Sequence, residues 1–214
     1  MNDHPHAIDL GFTAEVVPDC HHLCLIFDDE TQRRKIVSEY LAAGLKQGDL
    51  VRYFTDVTSP QAVRTWLLEM GLELLQAEET GSFGITQAET AYCPSGHIMP
   101  QDVVKNAKAR YAMAKQAGYH GSRVTGEMTW VLRRPADIDR LLEYETRLNL
   151  IDEAFPYIGM CQYDARKFDG ATLFKVLQVH PYMIAQGQIV RNPFYIQPQE
   201  FLTRLDTAAH GAGV

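Results

Sequence analysis

Four polar side chains recur at every second position of one run, Arg123, Thr125, Glu127 and Thr129, with Val124, Gly126, Met128, Trp130 and Leu132 on the opposite side. A period of two marks a β-strand, here predicted from Ser122 to Leu132. A strand covered by helices on both faces ordinarily carries apolar residues throughout. A carboxylate buried there needs a partner or a ligand. Glu127 is therefore read either as half of an ion pair with Arg123 or another arginine, or as a binding-site acid. Cys161 and Tyr163 lie on a second predicted strand and are read as facing the same pocket, with simple packing as the alternative. His22 on the first strand, Asp28 at its carboxyl end and His180 before Pro181 complete the candidate ligand-binding set. The pairs Glu127 with Asp164 and Glu143 with Glu145 are the residue types that general acid–base catalysis uses. Unpositioned carboxylates are common, however, and no catalytic residue is assigned.

Cys20, His22 and Cys24 would project to one face of a strand and could offer soft metal ligands. Side chains at i and i+2 rarely close a tetrahedral site alone, so the run is read as a core strand, with no metal and no cofactor expected. Cys93 and Cys161 complete a set of four cysteines without a CxxC pair, and no disulfide is expected. Several chemistries lack a foothold. The first strand-to-helix turn, Asp28-Asp29-Glu30-Thr31-Gln32-Arg33, holds three acids and no glycine where a phosphate loop would read GxxxxGK(S/T). A polyphosphate would be repelled, and no ATP or GTP hydrolysis is expected. GxGxxG after a strand, HExxH and GxSxG are likewise missing.

The 214 residues, 46% hydrophobic and 22% charged, suit one sizeable core. A net charge of -7 without any basic run interleaved with aromatics argues against direct nucleic-acid binding. The longest basic cluster, Arg33, Arg34 and Lys35, is read as a solvated helix face. No signal peptide and no stretch of roughly 18 apolar residues is legible, so no membrane contact is expected and a cytoplasmic location is.

Those residues must be positioned by alternating elements. Strands are predicted at His22 to Asp28, Leu50 to Asp56, Leu72 to Ala77, Ser82 to Thr86, Ser122 to Leu132 and Tyr157 to Asp164, with a C-terminal β-hairpin turning at Gln186-Gly187. Helices are predicted from about Glu30 to Lys46, from Pro60 to Gly71, from Gln101 to Ala117, from Pro135 to Ile151, from Ala171 to Gln178 and from Glu200 to Leu205. The turn-rich Ala88 to Pro100 segment reads as a long loop able to cover a pocket. Residues 1–18 read as a flexible N-terminal segment, 19–206 as one domain and 207–214 as a disordered tail. The alternation implies an α/β three-layer sandwich, a mostly parallel sheet with helices on both faces. Ligands bind such sheets beyond the strands' carboxyl ends, where Asp28, Asp56 and Asp164 fall.

Several uncommon runs occur together: His22-Leu23-Cys24-Leu25-Ile26-Phe27, Tyr40 to Asp49 (YLAAGLKQGD), Thr125 to Trp130 (TGEMTW), Tyr144-Glu145 with Leu148-Asn149, Cys161-Gln162-Tyr163-Asp164, His180-Pro181 and Asn192-Pro193-Phe194-Tyr195. With these, nearly the whole chain resembles the MEDS family, the methanogen/methylotroph, DcmR sensory domains. The resemblance implies a fold related to the RecA and KaiC ATPases without their phosphate loop. It also implies a non-catalytic sensor of a small organic molecule, of the hydrocarbon-derivative class. No helix-turn-helix or kinase segment is legible, so the output is expected on a regulatory protein partner, a kinase or transcription factor, with a homodimer left open. The competing readings are a degenerate ATPase-like enzyme or nucleotide-binding protein and a pure protein-interaction module.

Overall fold

The computed structural model describes residues 8–14, 22–151 and 157–211. Expectations for Cys20, for residues 1–7 and 15–18 and for the last three residues lie outside the described residues. In chain order the elements are β1 (His22–Phe27), α1 (Glu30–Gln47), β2 (Leu50–Thr55), α2 (Pro60–Glu69), α3 (Leu74–Glu79), β3 (Phe83–Gln87), α4 (Ala88–Tyr92), α5 (Pro100–Gln116), β4 (Ser122–Glu127), α6 (Ile138–Leu148), β5 (Tyr157–Asp164), α7 (Gly170–Val179), β6 (Tyr182–Ala185), β7 (Gln188–Arg191) and α8 (Pro198–Gly211). The strands form one sheet in the order β3-β2-β4-β5-β1-β6-β7, parallel except for the terminal hairpin strand β7. This is the predicted α/β three-layer arrangement.

Alternation along the strands sorts the two cores. Leu23, Leu25, Val51, Tyr53, Ile158 and Met160 pack beneath α1, α2 and α3. Cys24, Phe54, Val124, Cys161 and Tyr163 pack on the other side with residues of α4 through α8. Helix α1 begins at Asp29, whose carboxylate accepts from the Thr31 and Gln32 amides, and ends at Gly48 with φ 76°. That left-handed conformation favours glycine.

Three predicted elements differ. Leu72 to Ala77 is no strand, because the strong helix formers from Leu74 to Glu79 wind into α3. The Ala88 to Pro100 loop begins with α4, and Tyr92 turns inward to stack on Trp130 at 5.4 Å. Strand β4 stops at Glu127, five residues early. Its pairing with β2 ends at Gly126 and with β5 at Glu127, and Thr129–Arg133 tighten into a 3-10 turn that buries Trp130. Leu10 is buried and the Asp9 carbonyl accepts from Arg123 and Gln47, so residues 8–14 dock on α1, while α8 runs past residue 206 to Gly211.

The Tyr40 to Asp49 run forms a socket for Arg123. The guanidinium donates to Asp49 Oδ2 at 3.1 Å and to the Tyr40 carbonyl at 2.9 Å, and lies 4.9 Å from the Tyr40 ring centroid. Gly44 leaves the room for it, since a Cβ there would sit 2.6 Å from Arg123 Cδ and 3.0 Å from Val51 Cγ2. Gly44→Ala is expected to destabilise the protein by about 1–3 kcal/mol through overpacking. Urea denaturation measures this directly, and an unchanged midpoint would sink the socket argument.

Candidate functional site

Beyond the carboxyl ends of β1, β4 and β5 lies a cavity of about 380 Å³. Its walls are Phe27, Val57, Ala62 and Trp66, its floor Arg33, Glu127 and Gln162, and its rim includes Asp164, Arg166 and Lys167. Helix α1 crosses from β1 to β2 past two intervening strands, which opens the crevice that such sheets use for ligands.

The floor is an internally satisfied network. Glu127 Oε2 accepts from the backbone amides of Asp56, Val57 and Thr58 at 2.9, 2.6 and 3.1 Å, and Oε1 accepts from the Tyr53 hydroxyl at 2.6 Å. Arg33 is 1% exposed. Its guanidinium lies 5.2 Å from the Phe27 ring centroid and 5.3 Å from that of Trp66. It donates to Glu30, Tyr53, Thr58 and, at 2.8 Å, to Gln162 Oε1, with Glu127 Oε1 at 3.5 Å. Gln162 in turn donates to Thr125 Oγ1 at 2.8 Å. Burial opposes the Arg33 charge, but hydrogen bonds to Glu30 and the nearby Tyr53 and Glu127 hold its pKa above the usual arginine value. Burial first, and then Glu127, push the Tyr53 phenol up. At the rim, hydrogen bonds from Arg166 hold the Asp164 carboxyl low.

A second polar cluster occupies the opposite face of the sheet. His22, Glu145, Cys161 and His180 are all buried, and one ligand-capable atom from each falls within 4.8 Å of all the others. Glu145 Oε2 lies 2.7 Å from His22 Nε2, 3.4 Å from His180 Nε2 and 3.3 Å from Cys161 Sγ, while His22 Nε2 is 3.4 Å from that sulfur. The Tyr163 hydroxyl donates to Glu145 Oε1 at 2.8 Å. His22 Nδ1 faces Asn149 Oδ1 at 3.3 Å, and His180 Nδ1 faces the Val176 carbonyl at 2.8 Å. Asn192 fixes the turn beyond α7 by donating to the carbonyls of Leu177 and His180. Burial and then Glu145 push the Cys161 thiol and the Tyr163 phenol up, and burial and then His180 lower His22. For Glu145 burial acts upward, but the two imidazoles outweigh it and hold the carboxyl low.

The nine candidate ligand residues therefore do not share one pocket. Glu127 and Thr129 line the cavity, and Thr125 lies behind Gln162. Arg123 sits at the amino end of β4, away from the cavity, in its own socket. Cys161, Tyr163, His22 and His180 are on the far face, because alternation along β5 sends Gln162 to one side and its neighbours to the other. Asp28 is exposed and does not line the cavity, and neither does the segment from Ala88 to Pro100. Arg33, read from its cluster as solvated, is a correction of the opposite kind: it is the central cation of the floor. Glu145 was visible as one of the runs that carry the family resemblance and as a possible acid–base partner of Glu143, which instead pairs with Arg147 on the helix surface.

No helix among the described residues is long and apolar enough to cross a membrane. Among solved structures the fold is similar to an uncharacterized Pyrococcus horikoshii protein crystallised with an unknown peptide, with TM-score 0.59 and 16% identity over 79% of this chain and 80% of that one. It is also similar to the flagellar accessory protein FlaH of Methanocaldococcus jannaschii, with TM-score 0.54 and 10% identity over 79% and 74%. A KaiC-like protein of Pyrococcus horikoshii matches with TM-score 0.51 and 12% identity over 76% and 69%. These likenesses establish a RecA/KaiC-like fold. In sequence, the transcriptional repressor DcmR of Methylorubrum extorquens (strain DSM 6343 / CIP 106787 / DM4) is 25% identical over 162 residues, which are 74% of this chain. The chain thus spans only 57% of the repressor's length. The MEDS profile itself, "MEthanogen/methylotroph, DcmR Sensory domain", matches residues 21–181, a span that contains the cavity floor and the whole buried cluster, and the chain belongs to that family of sensory domains.

Proposed function

We propose that the protein is a non-catalytic cytoplasmic sensor that takes a small, largely apolar organic molecule into the cavity beneath Trp66 and passes the signal to a regulatory protein partner, a kinase or transcription factor. One observation carries this reading: the walls are apolar and the polar atoms of the floor are already paired with one another. A hydrocarbon-like ligand would strand no buried donor or acceptor there. A nucleotide fits poorly, because the amides at the start of α1 that could hold a phosphate are taken by Asp29, itself flanked by Asp28 and Glu30. Catalysis is disfavoured on the same ground, since Glu127 has no lone pair directed at a substrate that is not already engaged. The relationship to a transcriptional repressor supports a regulatory output.

Thermal unfolding with short-chain alcohols, carboxylates and halocarbons, and with ATP and GTP alongside, tests the reading. A ligand at 100 times its Kd should add about 2.7 kcal/mol of stability, or about 5–10 °C for a domain of this size. Trp66→Ala should remove that shift. A shift with ATP or GTP and none with the organics would overturn the proposal.

A further inference from the structure

The buried cluster on the far face has a feature that hydrogen bonding alone leaves unresolved. A backbone carbonyl only accepts, so His180 must carry its proton on Nδ1 to bond Val176. The Asn149 side-chain amide donates to the carbonyls of Glu145 and Val179, which turns its oxygen toward His22 Nδ1 and puts a proton there too. With a proton on each Nδ1, both Nε2 atoms point inward at Glu145 Oε2, and at 2.7 Å from His22 only a proton or a metal cation can lie between nitrogen and oxygen. His180 Nε2 is fully buried and makes no hydrogen bond to any described residue, although the carboxylate is 3.4 Å away. Two imidazole nitrogens, a carboxylate oxygen and a thiol sulfur thus converge on one point.

We propose that His22 Nε2, His180 Nε2, Cys161 Sγ and Glu145 Oε2 bind one divalent transition metal of the zinc class in a four-coordinate site. The donor set is borderline-soft, with two imidazoles, one thiolate and one carboxylate, as zinc prefers. Bond lengths of about 2.0–2.3 Å in a tetrahedron place neighbouring donors about 3.3–3.7 Å apart. Of the six edges, three, at 3.4, 3.3 and 3.4 Å, already match, the 2.7 Å His22–Glu145 edge must open, and those from His180 Nε2 to His22 and Cys161 lie within 4.8 Å. The outer contacts are those that orient metal ligands: each histidine's Nδ1–H is held by a carbonyl oxygen, and Tyr163 fixes the second carboxylate oxygen. Binding releases the Cys161 thiol proton to solvent. With four protein donors and no exposed surface the site is closed, so the metal ties β1, β5, α6 and the end of α7 together and activates no water. This reverses the expectation drawn from the Cys20-His22-Cys24 spacing: His22 finds its partners across the fold and not along its own strand.

Untagged full-length protein, stripped with EDTA, reloaded with Zn²⁺ and desalted, is expected to hold about one zinc per chain by elemental analysis. Titration with Co²⁺ should give the intense visible bands of tetrahedral cobalt and a thiolate charge-transfer band in the near ultraviolet. Cys161→Ser should remove the charge-transfer band, Cys93→Ser should keep it, and Asn149→Leu should weaken zinc binding about 10–100-fold. The wild-type cobalt spectrum decides the matter even where a variant fails to fold. Folded wild-type protein that retains less than about a tenth of an equivalent of zinc, or gives only the weak spectrum of octahedral cobalt, overturns the proposal. Loss of the charge-transfer band in Cys24→Ser but not in Cys161→Ser overturns the ligand assignment.

Discussion

Glu127→Gln is expected to lower the free energy of unfolding by about 3–5 kcal/mol, shifting the melting temperature down by about 6–20 °C. The neutral amide has one acceptor oxygen where the carboxylate uses two. It cannot at once serve the three amides of residues 56–58 and the Tyr53 hydroxyl, and its own N–H groups would face donors. Arg33 also loses a buried counter-charge, keeping only Glu30, which lies half in solvent. The measurement is guanidinium denaturation of the ligand-free protein. A mutant within about 0.5 kcal/mol of wild type would show that the carboxylate serves a ligand and not the loop. Sequence reasoning left a structural ion pair and a ligand site level, and the three amide contacts add a role that neither reading named, anchoring the loop.

A loss of similar size is expected at the other end of the same strand. Arg123→Met leaves Asp49 buried without its partner and frees the Tyr40 and Asp9 carbonyls, so about 3–5 kcal/mol should be lost. Asp49→Asn in the same chain should recover part of it, because the unpaired charge is then gone. A double-mutant cycle on denaturation midpoints measures the coupling. Additive losses would mean that the pair contributes nothing beyond its separate side chains.

The layer order and nearly every element were legible because the apolar periods are strong and the caps are explicit, with Ser59-Pro60 opening α2 and Gly48 closing α1. The misread segments are those where local signals were short. Leu72 to Ala77 holds too few residues to separate period two from 3.6, and the end of β4 depends on where its neighbours stop. The site was legible as a list of unusual residues but not as a geometry. Polar residues in buried strands drew notice correctly, yet the face each one occupies follows from register and from which helices cover which side. Gln162 could have been found by the reasoning that found Glu127, since it too is polar within a fully buried strand. Arg33 could not, because an arginine beside Arg34 and Lys35 carries no mark of burial until Phe27 and Trp66 close over it.

The place of β1 in the sheet also governs how the chain can be made. Its neighbours are β5 and β6, so β1 is completed by two strands made much later. Strands β2, β3 and β4 can zip together while synthesis continues, but roughly 130 residues separate Phe27 from Tyr157. At about 5–20 residues per second the apolar HLCLIF segment waits on the order of ten seconds for an edge to join. Throughout that interval it is a natural client for a chaperone. A nascent chain arrested before β5 should be protease-sensitive at β1, while one arrested beyond β6 should resist there.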